Sequence, residues 1–341
     1  MRSSYVSVRP ELSIHGYCGN INQFIIESMN PDMSRAETQQ QKLDQQRIRR
    51  AFDRAAESYQ QYAVLQTEVC NRLLEKLEVV KLSPKLILDA GAGTGAAIPA
   101  LFARYKKAQV VTLDLSENML QKANKHGTIL RSPHAVCGDL ERLPFADDSF
   151  DLVFSSLSMQ WCNDLNAALL EAKRVLKPGG LYVFTTFGPD TLKELRHSWS
   201  KVDDENHVNQ FIDMHDIGDA LLQDGFAEPV MEAEVLTVTY DSVDQLMRDL
   251  KAIGANVTAA SATEDIAVAG DNVKRIEKAP ARKGLGGKSM LHTVRQGYEK
   301  FRRDNVLPAS YEIIYGHAWK PIAEESKNLS DNSQFVKFEP R

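Results

Sequence analysis

The chain has 341 residues, enough for one large domain or two small ones, and its composition of 43% hydrophobic, 26% charged and 8% aromatic residues is that of an ordinary globular protein. Collagen-like, coiled-coil and disordered classes are excluded. With 41 Lys and Arg against 46 Asp and Glu the net charge is −5, which argues against a surface built wholly for nucleic acid.

Four cysteines, Cys18, Cys70, Cys137 and Cys162, are widely spaced and form no CxxC pair, so neither a disulfide framework nor a zinc site is expected. No apolar run reaches the roughly 18 to 20 residues needed to cross a bilayer, and the first thirty residues lack an apolar signal core. A reduced, cytoplasmic location is the expectation, although a weak organelle-targeting segment fits the same residues. Residues 1–45 read as a disordered extension, with Met29 and Met33 pointing to an upstream start codon.

From about Arg47 the apolar stripe turns helical. Phe52, Ala55, Tyr59 and Tyr62 recur at helical steps, and Leu65, Val69, Leu73 and Leu77 continue toward Pro84, predicting one or two amphipathic helices. Strand and helix then alternate. Strands are expected at 86–91, 110–116, 134–139, 151–158 and 181–187. Between them lie helices in IPALFARYKKA, ENMLQKANKHG and DLNAALLEAKRVLKPGG, the last stopped by Pro178 and Gly179. Farther on come a helix in HDIGDALLQDGF, a strand at 230–240 and a helix in SVDQLMRDLKAIG. A polar loop, a basic helix from about Lys288 to Asp304, a closing strand at 311–319 and a solvated tail from 322 complete the chain. Such alternation favours a parallel sheet with helices on both faces, which binds ligands at the carboxyl ends of its strands.

Asp89-Ala90-Gly91-Ala92-Gly93-Thr94-Gly95-Ala96 follows the first strand and opens a helix, where glycines let backbone approach a ligand closely. By itself the segment satisfies both G-x-G-x-x-A, a dinucleotide pattern, and D-x-G-x-G-x-G, a methyltransferase pattern. Asp114, ending the second strand, suits ribose hydroxyls in either case. The separation comes from Asp89, from Gly138-Asp139 after the third strand, from Phe150-Asp151-Leu152-Val153 and from the Leu-Lys-Pro-Gly-Gly turn at 176–180. In this order they resemble class I methyltransferases that use S-adenosyl-L-methionine.

That resemblance implies a Rossmann-like α/β fold: a mostly parallel seven-stranded sheet with helices on both faces, N-terminal helices, and a helical insertion before the last strand. It also implies a cofactor site of Asp89, Gly91, Gly93, Gly95, Asp114, Leu115, Met119, Asp139, Leu140 and Ser155, with Asp139 meeting the adenine amino group. The methyltransferase domain is expected over 46–321, divided into lid helices (46–83), core (84–240), insertion (241–306) and closing strand (307–321).

Outside the core, RRAFDRAAESYQQYAVLQ (49–66), FGPDTLKELR (187–196) with the segment 207–240, and RKGLGGK (282–288) with LPASYEIIYGHAWKP (307–321) resemble the malonyl-[acyl-carrier protein] O-methyltransferase family of biotin synthesis. The resemblance implies methylation of the free carboxylate of a malonyl thioester on a carrier protein. A carboxylate with an ordinary pKa of about 4 is already ionised at neutral pH, so no general base is required. An anion must instead be aimed at the methyl group, which nominates Arg196 as its cation and Tyr59 as a lid residue donating a hydrogen bond. Tyr62, Met159, Gln160, Trp161 and His207 are expected to wall the acceptor pocket, with His215 as a further orienting candidate.

The carrier partner is expected to be acidic. Between Val273 and Arg303 ten basic residues face two acidic ones, and Arg282, Lys283, Lys288 and Arg295 are the docking candidates. A methyltransferase of another carboxylate or metabolite, and a cofactor-binding assembly factor for respiratory complexes, remain the rival readings.

Overall fold

The computed structural model describes residues 43–128, 131–203, 207–255 and 286–322. Three helices come first, α1 (Gln45–Ala55), α2 (Tyr59–Tyr62) and α3 (Val64–Lys76). Asp44 caps α1, its carboxylate accepting from the amides of Gln46 and Arg47. The Phe52-to-Tyr62 stripe therefore does not lie on one helix. The chain turns after Ala55, where Ala55 and Ala56 pack against Met119 and Ser58 N donates back to Ala55 O at 3.0 Å.

The alternating region follows: β1 (Leu86–Ala90), α4 (Ile98–Arg104), β2 (Gln109–Asp114), α5 (Glu117–Ala123), β3 (His134–Cys137), β4 (Phe150–Ser156), α6 (Leu165–Val175) and β5 (Leu176–Phe187). Next come α7 (Lys193–Trp199), α8 (Met214–Gln223), β6 (Ala227–Tyr240), α9 (Val243–Ala252), α10 (Gly286–Tyr298) and β7 (Leu307–Trp319). The Leu-Lys-Pro-Gly-Gly segment is more than a helix stop. Leu176 already pairs with Phe150, and the register then shifts before Leu152 meets Leu181, so the Pro-Gly-Gly residues form a bulge inside β5.

The sheet order is β3-β2-β1-β4-β5-β7-β6, parallel from β3 through β5, with β7 antiparallel to both of its neighbours. Both faces are apolar, so the central strands alternate between two cores. Along β5, Leu181 and Val183 face the core that holds Leu73, Leu101 and Tyr298. Tyr182 and Phe184 face the one that holds Leu169, Leu221 and Phe226. Order reverses between β2 and β4 on either side of β1, and this switch point fixes where a ligand crevice opens. Among the described residues no helix is long and apolar enough to cross a membrane, and no group of three His, Cys, Asp or Glu is placed to hold a metal ion.

Gly316 in β7 sits opposite Phe184 in β5. A Cβ at Gly316 would lie 2.3 Å from the Phe184 ring, whose own position is fixed by stacking on Tyr182 at 4.9 Å. The aromatic ring covers the bare glycine across the strands. Gly316→Ala is expected to destabilise the fold by about 1–3 kcal/mol through overpacking, read as a lower urea midpoint at unchanged slope.

Candidate active site

The glycine loop is anchored by backbone. The amides of Gly91 and Ala92 both donate to Leu113 O, at 2.7 and 2.9 Å, folding the loop over the end of β2. Gly91 has φ +77°, and a Cβ there would stand 2.3 Å from Ser158 Cβ. Gly95, with φ +84°, lets α4 approach α5, since a Cβ would meet Ala123 Cα at 2.9 Å. Gly93 N donates to Asp114 Oδ2 at 2.9 Å, and Ser116 N donates to Asp114 Oδ1 at 2.8 Å.

Two carboxylates therefore stand side by side at the switch point. Asp89 is 3% exposed and its Oδ2 has no hydrogen-bond partner. Burial, with the Asp114 charge beside it, pushes Asp89 up to about 7. Burial likewise raises Asp114 to about 6, opposed by its two backbone donors. Burial and the Asp114 charge also hold the Tyr59 phenol protonated, well above its ordinary range.

A cavity of about 330 Å³ opens above these groups, lined by Asp89, Gly91, Gly93, Asp114, Leu115, Met119, Asp139 and Leu140 as well as by Tyr59 and Trp161. Helix α1 roofs it through Ile48 and Phe52. The roof is tied down on both sides. Ser116 Oγ donates to Asp53 at 2.6 Å, Gln45 Nε2 donates to Trp161 O at 3.2 Å, and Phe52 meets the Trp161 ring edge-on at 5.2 Å.

A smaller cavity of about 80 Å³ adjoins it, sharing the walls Phe52, Tyr59, Gln66, Leu157 and Trp161. Gln160 and His207 line this annex alone, with Thr191, Leu192 and Leu250. His207 stacks on Trp199 at 3.9 Å and its Nε2 pairs with Asp203 at 2.7 Å, which fixes the ring. Leu157 and Leu192 carry φ of +48° and +55°, unusual for leucine. Leu157 N is held by Thr185, from its Oγ1 at 2.9 Å and its carbonyl at 3.1 Å, and Leu192 N by Ser310 O at 2.6 Å.

Several expected residues lie elsewhere. Arg196 lines neither cavity, because its guanidinium donates to Pro189 O at 2.8 Å and Thr191 O at 3.0 Å and so clamps the loop after β5. Its Nε is buried without a partner, and burial lowers its pKa. Tyr62 is 42% exposed on the outer side of α2 and walls neither cavity. Met159 lines neither cavity and is buried in the core with Tyr182, its sulfur accepting from the Tyr182 hydroxyl. Ser155 and Gly95 sit behind the wall, Ser155 bonding Ser158 at 2.5 Å, and Ser158 is the residue that reaches the cavity. His215 is exposed, its ring pairing with Asp213, the N-cap of α8.

Arg282 and Lys283 fall outside the described residues, and Lys288 belongs to α10. Arg295 forms a bidentate pair with Asp244. Residues that the sequence reading passed over include Gln66, Leu157 and Thr191. A polar residue within an apolar helical stripe was the only signal for Gln66.

The chain matches a family model described as a methyltransferase domain over residues 88–184. It is 48% identical over 305 residues to malonyl-[acyl-carrier protein] O-methyltransferase of Methylovorus sp. (strain MP688), covering 88% of this chain and 96% of the relative. The chain belongs to the malonyl-[acyl-carrier protein] O-methyltransferase family. The relative of that name from Laribacter hongkongensis is 45% identical over 306 residues, covering 87% of this chain and 96% of that protein. Among solved structures, a methyltransferase from Bacillus halodurans C-125, described as putative, aligns at a TM-score of 0.50 and 22% identity over 74% of this chain and 99% of that one, a likeness of fold.

The methyl donor of this methyltransferase family member is S-adenosyl-L-methionine, and the residues present fit it. The unpartnered Asp89 oxygen and the Asp114 carboxylate offer negative charge to a ligand that carries an ammonium and a sulfonium. The glycine loop leaves the backbone bare where Gly93 has open space around it. Without a cation, an Asp whose folded pKa lies near 7 and whose unfolded value is about 3.9 binds protons more tightly in the folded state. Its stability contribution therefore falls as pH rises between those values. Asp89→Asn is expected to match the wild type in ligand-free thermal stability near pH 4 and to exceed it increasingly toward pH 7. The same variant should lose at least about tenfold in cofactor affinity at pH 7.5, measured by calorimetry. A stability difference that does not change with pH would contradict the assignment.

Proposed function

We propose that this chain transfers the methyl group of S-adenosyl-L-methionine to the free carboxylate of a malonyl thioester on acyl carrier protein, giving the methyl ester from which pimeloyl synthesis for biotin begins. The observation that carries this reading is near full-length kinship: 96% of a relative bearing that name is covered at 48% identity. The paired cavities support it, since one holds the anionic groups suited to a cationic donor and a smaller annex adjoins it across a shared wall.

When bound, the cofactor supplies a methyl on a sulfonium sulfur. The chain's own residues then have a limited task. An acceptor carboxylate is ionised at neutral pH, so no residue need remove a proton. Acceptor and sulfonium charges both disappear on transfer, so the site gains by excluding water and fixing the line of approach. Phe52, Leu157 and Trp161 supply an apolar boundary between the cavities. Tyr59, kept protonated, donates to the acceptor or cofactor carboxylate, while Asp114 takes the ribose hydroxyls and Asp139 the adenine amino group. Arg196 acts on the acceptor through Thr191, whose carbonyl it holds.

Charge masking is the purpose of the reaction in this reading. A neutral ester resembles an ordinary acyl chain and can be elongated; a free carboxylate cannot be buried at comparable cost. The basic segment between Val273 and Arg303 is the proposed carrier-docking region, steering an acidic partner.

Labelled S-adenosyl-L-methionine supplied with malonyl carrier protein, free malonate or buffer is expected to label the carrier form in base-labile linkage. Label on free malonate alone would exclude the carrier, and label on neither would exclude the reaction. Tyr59→Phe should lower kcat/KM for the malonyl carrier by about 10–100-fold, the loss of one hydrogen bond to a charged group. Reversing the charges of Arg282, Lys283 and Lys288 should slow the carrier reaction and leave a small malonyl thioester nearly unaffected.

A further inference from the structure

Five residues form the boundary between the two cavities, and four of them are rings or hydrocarbon: Phe52, Tyr59, Leu157 and Trp161. The fifth is Gln66, in the first turn of α3. Its neighbours Thr67 and Cys70 line the larger cavity alone, so Gln66 is where α3 also meets the annex. The Gln66 Oε1 atom is buried and has no hydrogen-bond partner. An unpaired buried amide atom costs about as much as a lost hydrogen bond, so its position calls for a ligand group that completes it.

We propose that Gln66 is the acceptor-binding residue that holds the non-attacking oxygen of the substrate carboxylate. The inference rests on the carboxylate reading given above. A methyl moving from the larger cavity to an acceptor in the annex must cross the boundary that Gln66 lines. A carboxylate arriving there has one oxygen aimed at the methyl and a second that must be bonded, and beside the Tyr59 phenol the Gln66 amide is the polar side-chain group at this boundary. Rotating the terminal amide by half a turn puts Nε2 where Oε1 stands, so the same position presents two N–H donors.

The choice of an amide over a cation follows from the chemistry. A lysine or arginine at this boundary would repel the incoming sulfonium at short range, whereas a neutral donor accepts both partners. It also keeps a partner when the carboxylate becomes an ester, because the ester carbonyl still accepts one N–H, now as a weaker neutral bond that favours product release. Gln66 thereby binds substrate and product with similar geometry, and selectivity for the free acid comes from the attacking oxygen alone.

The test compares wild type, Gln66→Met and Gln66→Glu, using malonyl carrier protein and a small malonyl thioester as acceptors. Cofactor affinity is measured by calorimetry, and thermal unfolding confirms that each variant is folded. Methionine keeps length and helix propensity but removes both donors; it is expected to lower kcat/KM about 10–100-fold for both acceptors, mainly through KM. Glutamate should be worse still for the acceptor, and its cofactor affinity should stay within about threefold or tighten. Variants whose kcat/KM stays within about twofold of wild type, or whose loss is matched by an equal loss of cofactor affinity, would overturn the assignment. If wild type labels neither acceptor, the carboxylate reading fails and this inference falls with it; wild-type transfer with unaffected variants would remove only Gln66.

Discussion

The structure is organised around two carboxylates that the fold forces together at low solvent exposure. Asp89 is the penultimate residue of β1 and Asp114 the last of β2, and the parallel pairing of these strands, with Asp89 opposite Thr112, brings the Asp114 charge to bear on Asp89 at the point where the sheet reverses its winding. Among the described residues no lysine or arginine pairs with either, and each is shifted toward protonation by burial. The glycine loop, the Ser116 amide and the α1 roof all serve to keep that charge enclosed. A site of this kind is costly while empty and becomes favourable when a cation enters, so its electrostatics already favour a sulfonium-bearing ligand over a neutral one.

The annex is built differently. Here the cavity walls come from many separate parts of the chain: α1, α2 and the first turn of α3, the turn after β4, the loop after β5 with α7, the segment before α8, the end of α9, and β7. Leu157 and Leu192 are held in left-handed conformations that cost about 1–3 kcal/mol each. Hydrogen bonds from their amides to Thr185 and Ser310 impose those conformations. Rigid backbone on one side and the stacked His207 and Trp199 rings on the other leave little freedom for an acceptor to approach out of line.

Much of this was legible in sequence where the signal was local. Buried strands such as 86–90 and 150–156 carry short apolar runs, Leu86-Ile87-Leu88 and Leu152-Val153-Phe154, and Gly91 to Gly95 announce a bare loop after the first of them. Asp114 and Asp139 could be placed because a strand end is visible in the pattern. The failures were non-local. Tyr62 shares helical spacing with Phe52, yet spacing cannot reveal that the chain turns between them to bury Ala55 and Ala56. Arg196 reads as a free cation until the backbone carbonyls of Pro189 and Thr191 are seen to occupy it. The Pro-Gly-Gly stop conceals a bulged strand start, since only pairing with Phe150 identifies Leu176 as strand.

The antiparallel placement of β7 between β5 and β6 has a consequence for how such a protein diversifies. Strands β6 and β7 are sheet neighbours, yet the residues joining them include α9 and α10. A connection between adjacent antiparallel strands can grow or shrink without changing strand order, and lengthening it costs only slowly rising loop entropy. Residues Leu250, Ile253 and Ala255 of this excursion reach the annex, while none of its described residues lines the glycine loop cavity. Part of the annex wall is thus carried by a stretch of chain whose length can vary without rearranging the sheet, apart from the strands that build the glycine loop cavity.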